Sequence, residues 1–486
     1  MLRLKDPTHR DVVFYIVLGF VLASAAITTI FLVKLFFYPF GVNSVGNDAL
    51  NYFISIKSLY PTYASHPAAI TTYMPLYYLL FYVSKSLLQI PGYPFSAERA
   101  MTYAALFIDI CLLYLVSRNI AKMGKRYALL AVLIFYADFF IFASLSFYDP
   151  VLFELILDLV ALLLINSRLK SSYAYAAVAM ALALFFKQTA IIVVLGILAY
   201  YLLNKQRKEA VGFLSVFLLI VIPATIYTNF ITNGGFIEST ILLPLNEPIK
   251  PFNILYWWDV AVFSTLFVPL LLLCLKRGTF KKTSLLVIIL VAELLGTLSL
   301  YKTGSTQIYL LVPFAFACII GISNLEKFKN PMIRQKPRWR NSSALPLVIT
   351  IFVLLSVGIF LFQAALSNGY NNPTTSEIVS ALKEANGNIL VEDPQYALDA
   401  NKSLVFNADP TEFIPSNYKL WNDSYLISEI ENRSFAAIEF PINKTNNRFS
   451  RFPGLMQAIN NSYIEEYNFS GTYIDVPRSY GNTSTS

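Results

Sequence analysis

The sequence predicts a polytopic, all-α membrane protein with a small α/β domain at its C-terminal end. Three observations carry this. Of 486 residues, 56% are hydrophobic and only 14% charged, too apolar a balance for a soluble globular chain. Apolar runs repeatedly reach or approach the ~20 residues that cross a bilayer. Asn-x-Ser/Thr sites crowd the chain from residue 371 onward, at Asn401, Asn422, Asn432, Asn443, Asn460, Asn468 and Asn482, whereas Asn341 alone carries one earlier. That contrast is expected of a tail on the side where glycosylation occurs.

Charge sets the topology. The net charge of +8 comes from basic residues in short loops between apolar runs, the pattern of a cytoplasmic membrane face rather than of a nucleic-acid binder. The first span is read over 12–36, with Arg3, Lys5 and Arg10 holding its start in the cytoplasm. The opening residues lack the short core and small-residue cleavage site of a signal peptide, so this span is expected to be retained. The next apolar run, 74–90, contains Tyr73-Met-Pro-Leu-Tyr-Tyr and Lys85. As an amphipathic helix in the interface, it lets the following span deliver Arg118, Lys122, Lys125 and Arg126 to the inside; as a span, it would put them outside.

Later spans then fall near 98–117, 127–147, 150–166, 173–186, 190–203, 210–230, 259–275, 283–300, 307–322 and 344–366. Each inner loop is basic, and Trp257 and Trp258 anchor an outer one. The total is about eleven, an odd number that places the tail outside, in agreement with the sequons. The expected domains are a transmembrane module, 1–366, and an extracytoplasmic tail, 367–486. In the tail, Ser376 to Ala385 has helical apolar spacing, and Asn388-Ile-Leu-Val-Glu and Ala436-Ala-Ile-Glu-Phe read as strands. Cys111, Cys274 and Cys318 lie in apolar segments without disulfide or metal spacing.

With this topology the polar interruptions converge outside: Asp48, His66, Tyr73, Glu98, Arg99, Tyr148, Asp149, Lys187, Gln188, Lys302 and Gln307. Ionisable groups beside hydrocarbon are costly and are functional candidates. Each also has a plainer reading. Asp48 before Ala-Leu-Asn-Tyr-Phe, and Asp149 before Pro150, both suit helix N-caps. Lys187 and Lys302 could snorkel from span ends. Glu154 and Asp158, one helical turn apart inside a span, must face protein or water.

The order of these segments resembles a family. An acid soon after the first span is followed by Tyr-x-Pro-Leu-Tyr-Tyr and by Ala-Glu-Arg99 opening the next span. Tyr-Asp149-Pro, Leu-Phe-Phe-Lys187-Gln-Thr-Ala and Tyr301-Lys-Thr-Gly-Ser-Thr-Gln-Ile-Tyr309 come after. This is similar to the GT-C class of polyprenyl-phosphate-sugar-dependent glycosyltransferases, relatives of protein O-mannosyltransferases and lipid A aminoarabinose transferases. The resemblance spans residues 1 to about 366, by the order of motifs rather than any single one.

It implies Asp48 as catalytic base, Asp149 assisting, and Lys187, Lys302 and Arg99 holding the lipid phosphate. His66, Tyr73, Tyr148, Gln188, Gln307 and Glu154 are expected to line the substrate site. The implied donor is a polyprenyl- or dolichyl-phosphate sugar (mannose, another hexose or a pentose). The acceptor is a hydroxyl on a glycan, lipid or protein, and the host membrane is the cell membrane or, in a eukaryote, the endoplasmic reticulum. Many relatives carry Asp-Glu or Asp-x-Asp in the first loop, whereas Asp48 is followed by Ala-Leu. No metal or other cofactor is therefore expected, since one carboxylate is a poor divalent site. A secondary transporter or lipid-linked-sugar flippase is the rival, with Asp109, Asp158 and Glu293 as its material.

Overall fold

The computed structural model describes residues 9–37, 60, 73–88, 90, 96–138, 141, 150–246, 249, 252, 254–255, 266–274, 284–301, 307–329, 373–392, 394–403, 405, 424–440, 449, 453–469 and 472–478. The chain divides into two compact units. One comprises Met1–Phe37, Arg99–Ile222 and Lys250–Tyr370; the other comprises Tyr38–Glu98, Pro223–Ile249 and Asn371–Ser486.

The first unit is helical. It contains α1 (His9–Phe36) and, after α2 of the other unit (Pro75–Leu88), α3 (Ser96–Asn119) and α4 (Lys125–Tyr136). There follow α5 (Val151–Ile165), α6 (Ser172–Phe186), α7 (Ile191–Leu203), α8 (Arg207–Ile231), α9 (Phe267–Cys274), α10 (Leu285–Gly296) and α11 (Leu311–Lys329). Helices α3 and α8 each run across the boundary between the units. Among the described residues, four segments can cross a membrane by length and apolar composition: Leu18–Phe36, Ser96–Asn119, Arg207–Ile231 and Ile308–Lys327. These helices make it a membrane protein. Helices α6 and α7, of 15 and 13 residues, rise only ~20 Å each, short of the ~30 Å hydrocarbon core.

Segment Ile308–Lys327 is the hub, with 89% of its apolar stretch buried against 17% for Arg207–Ile231. Helix α11, which forms most of it, packs on α4, α9 and α10. Small residues let it do so. A Cβ on Gly321 would stand 3.0 Å from the carbonyl oxygen of Leu270, so α9 passes close to the backbone. Asn324 Nδ2 donates to Leu273 O at 2.8 Å. Glu326 accepts the Gly124 N–H at 2.9 and 3.0 Å, capping α4 from another helix, since Gly124 offers no side chain for the purpose. Asp138 acts similarly, accepting the Leu266 N–H at 3.4 Å at the start of α9.

In the second unit, α2 has 14 residues and is ~21 Å long, short of the ~30 Å hydrocarbon core as α6 and α7 are. It buries Tyr77, Tyr78, Phe81 and Ser84 while Leu79, Tyr82, Val83 and Leu87 stay exposed. Tyr60 lies against it with φ 56, the left-handed region that a Tyr rarely enters. Its hydroxyl donates to Tyr73 O at 2.6 Å, and its ring meets Phe236 edge-on at 5.2 Å. Burial pushes the Tyr60 and Tyr78 hydroxyls up from their ordinary range. At the end of α8, Asn233 and Gly234 (φ 50 and 93) reverse the chain into a turn that includes one π-helical stretch, Glu238–Leu242.

The tail portion of this unit is a four-stranded sheet between two helical layers. The strands β1 (Asn388–Val391), β2 (Phe435–Phe440), β3 (Tyr463–Phe469) and β4 (Thr472–Pro477) lie in the order β1-β2-β4-β3, with β1 and β2 parallel and the other pairs antiparallel. Period-two alternation explains the sandwich. Ile389, Val391 and Ala437 face α12 (Pro373–Glu384) and α13 (Pro394–Asp399). Leu390, Ile438 and Phe440 face α14 (Ser424–Glu431) and α15 (Pro453–Ser462). The expected helix, first strand and second strand all form. The β3–β4 hairpin and three of the helices were not anticipated; their segments are short, six to ten residues each.

Candidate functional site

The chemistry described in the first unit gathers where α6 breaks. Helix α6 ends at Phe186, and Lys187 takes an extended backbone (φ −151, ψ 135) with its N–H on Ala183 O at 2.9 Å. A 3-10 turn, Gln188–Ala190, leads directly into α7. The lysine thus sits at the C-terminal end of α6, where the helix dipole favours a cation. It also lies just ahead of the N-terminus of α7, whose orphan N–H groups favour an anion.

Two acids stand beside this break. Glu154, in the first turn of α5 and 1% exposed, accepts the Thr189 hydroxyl on Oε1 and Oε2 at 2.8 and 2.7 Å. Glu293, the one acid of the twelve-residue α10, comes in because α7 and α10 pack closely. A Cβ on Gly296 would stand 2.3 Å from Ile192 Cδ1, and one on Gly196 would stand 2.6 Å from Ile289 Cδ1. Tyr309, in the 3-10 turn Gln307–Leu310, places its ring centroid 4.9 Å from Lys187 Nζ, within cation–π range.

Val151, Glu154, Lys187, Thr189, Ile192, Glu293, Gly296, Tyr309 and Val312 enclose a cavity of about 10 Å³, room for one water molecule. Deeper on α5, Asp158 is fully buried and interacts electrostatically with Glu154, Glu293 and Asp109. Neither carboxylate oxygen of Asp158 or Asp109 has a hydrogen-bond partner among the described residues. Among the described residues no group of three or more His, Cys, Asp or Glu side chains is arranged to hold a metal ion.

Of the residues singled out in the sequence, Lys187 and Glu154 share this cavity, and Gln188 begins its 3-10 turn. Gln307 begins the turn that carries Tyr309. Arg99 is fully buried on α3 and donates from Nη1 to Phe36 O at 3.3 Å, a cation on the last turn of α1. Tyr73 belongs to the other unit, its N–H on the Tyr78 hydroxyl at 3.2 Å. Asp48, His66, Tyr148, Asp149 and Lys302 lie outside the described residues. Sequence reasoning did not assign Thr189, Glu293 or Tyr309 to the site. Thr189 and Tyr309 lay within quoted motifs, and Glu293 was visible as an isolated acid in an apolar run.

Neither a protein-family profile nor a curated protein sequence matches the chain. Solved structures do. ArnT from Cupriavidus metallidurans bound to undecaprenyl phosphate superposes with a TM-score of 0.61 at 11% identity, over 95% of this chain and 98% of that one. Its apo state gives 0.59 at 12%, over 94% and 97%. The Archaeoglobus fulgidus oligosaccharyltransferase tethered to an acceptor peptide with an NVT sequon gives 0.51 at 12%, over 96% of this chain and 74% of that one. Both neighbours are GT-C glycosyltransferases. The chain therefore has the GT-C fold along nearly its whole length; the order of its motifs implied it over residues 1 to about 366, with a looser match in the tail.

Proposed function

We propose that this chain is a membrane glycosyltransferase that moves a sugar from a polyprenyl-phosphate donor to an acceptor hydroxyl on the extracytoplasmic face. The observation that carries the reading is the coincidence of a full-length GT-C fold with a buried lysine at a helix break, ahead of a helix N-terminus. The ArnT neighbour is known with undecaprenyl phosphate bound, and Lys187 is the kind of group that holds such a phosphate. The proposed arrangement has about eleven spans, a catalytic module over 1–366 and an outer tail over 367–486. The sugar is mannose or another hexose or pentose, and the acceptor a glycan, lipid or protein.

The reaction follows from the chemistry of the donor. Asp48 takes the proton of the acceptor hydroxyl as its oxygen attacks the anomeric carbon. The carbon–oxygen bond to phosphate breaks with its electron pair passing to the phosphate oxygen, so configuration inverts. The leaving phosphate gains a negative charge, which Lys187, Lys302 and Arg99 offset; Asp149 assists at the acceptor or donor. His66, Tyr73, Tyr148, Gln188, Gln307 and Glu154 line the substrates, and no metal enters the scheme.

The test is transfer by purified protein from a panel of polyprenyl-phosphate sugars, wild type beside Asp48→Asn. Donor-dependent transfer that the variant loses is the expected result. Full transfer in the variant removes Asp48 as base. A transport reading draws on the carboxylates of Asp109 and Asp158, which have no hydrogen-bond partner among the described residues; gradient-driven substrate movement by a protein with no transfer activity would favour it.

A further inference from the structure

We infer that Asn401 and Asn432 carry N-linked glycans added to the folded tail, and that Asn460 is passed over. The inference rests on the proposed extracytoplasmic placement of the tail. An enzyme that reads Asn-x-Ser/Thr must reach two groups, the asparagine amide that takes the sugar and the hydroxyl two residues on. On a folded domain, sequence spacing alone does not suffice. Both groups must lie at the surface, where a bulky glycan fits.

Two helix ends supply such a surface. Helix α13 closes at Asp399, and Asn401 follows with φ 56 while the Lys402 N–H returns to Ala397 O at 2.8 Å. Asparagine enters this left-handed position after a helix more readily than most residues, which accounts for Asn401 but not for Ser403. Asn401 and Ser403 are both exposed. Helix α14 closes at Glu431. Here the left-handed residue is Arg433, φ 57, and the Ser434 N–H returns to Glu429 O at 3.0 Å. Asn432 and Ser434, on either side of it, are both exposed. Because α13 and α14 pack on opposite faces of the sheet, the two glycans would stand on the two helical layers and leave both cores intact.

The Asn460 motif differs. Asn460 is exposed on α15, but Ser462 is only 7% exposed. Arg478 grips the turn around it, donating from its N–H to Ser462 O at 3.0 Å, from Nη2 to Asn460 O at 2.9 Å and from Nε to Tyr463 O at 3.1 Å. The hydroxyl half of this motif is therefore within reach only when the tail is open. The other tail sites lie wholly or partly outside the described residues.

The donor is a lipid-linked oligosaccharide, and the enzyme is a separate oligosaccharyltransferase of the same membrane. Asparagine Nδ2 forms a bond to the anomeric carbon and gives up a proton to a base of that enzyme. The bond from the anomeric carbon to the lipid phosphate oxygen breaks, and its electron pair stays on the phosphate.

The experiment is mass spectrometry of peptides from the full chain, purified from membranes of its source organism. Wild type is compared with Asn401→Gln, Asn432→Gln and Ser434→Ala. Glycan mass is expected on Asn401 and Asn432 and not on Asn460. Each Asn→Gln change should remove one glycan, and Ser434→Ala should strip Asn432 while Asn401 keeps its own. In parallel, a Ser486→Cys variant is treated in intact cells with a membrane-impermeant maleimide, beside wild type.

If the maleimide reaches Ser486→Cys above the wild-type level while Asn401 and Asn432 are bare, the inference is overturned and the outer placement of the tail stands. If Asn460 is occupied as fully as Asn432, the folded surface does not select the sites, and the inference fails. A tail that the maleimide does not label overturns the placement and the inference together.

Discussion

Replacing Gly296 with Ala tests the packing that brings Glu293 to the helix break. The added Cβ would lie 2.3 Å from Ile192 Cδ1 and 3.2 Å from both Cγ1 and Cγ2. Carbon pairs settle at ~3.5–4.0 Å, so the tip of Ile192 must retreat by more than ~1 Å. A χ2 rotation can swing Cδ1 away, but a helix holds the χ1 of isoleucine nearly fixed, so both γ carbons stay crowded at 3.2 Å. Helix α10 must move off α7, and overpacking of this kind costs ~1–3 kcal/mol.

Thermal unfolding of the purified chain in detergent reads this directly. Gly296→Ala is expected to lower the midpoint. Ile192→Ala removes all three crowded atoms, so adding Gly296→Ala to that background should cost about nothing further, a coupling of ~1–3 kcal/mol in the double-mutant cycle. Strictly additive effects, or a Gly296→Ala variant as stable as wild type, would show that α7 and α10 do not approach through this glycine.

In the tail, Tyr463→Phe is expected to expose strand β2. The hydroxyl donates to Phe435 O at 3.1 Å and accepts the Phe435 N–H at 3.2 Å, so its loss strands two backbone groups at a cost of ~1–3 kcal/mol. Hydrogen exchange in the full chain should quicken at Phe435 and its neighbours. The same burial that raises the Tyr463 hydroxyl also raises those of Tyr60 and Tyr78. In each case the folded chain keeps a proton that the unfolded chain loses near pH ~10. This contribution to stability is full below that pH and falls as pH rises through the folded values. Unfolding midpoints followed from pH 8 upward should drop above about pH 10. The Tyr463→Phe variant should show a shallower drop, and an equal slope would remove Tyr463 as a contributor.

Much of this protein could be read from the chain in order. A bilayer demands long apolar segments whose backbone is satisfied internally, so composition and run length declare the helices. The positions of α1, α3, α5, α6, α7 and α8 follow apolar periodicity and basic ends closely. Lys187 and Glu154 could be singled out for the same reason, since a charge inside an apolar run is conspicuous. In the tail, the short apolar runs Asn388-Ile-Leu-Val-Glu and Ala436-Ala-Ile-Glu-Phe were enough to announce two strands.

What the chain order did not contain is which helices touch. Thr189 is unremarkable until the break after Phe186 turns its hydroxyl onto Glu154, 35 residues away. Tyr309 is one aromatic among 31 tyrosines until the turn at Gln307–Leu310 sets its ring near Nζ. Glu293 reaches the cavity only because two glycines let α7 and α10 meet. Burial and periodicity are local properties that a sequence displays residue by residue. A hydrogen bond, a ring contact and a close helix crossing each depend on distances between distant segments, and only the packed tertiary structure sets those.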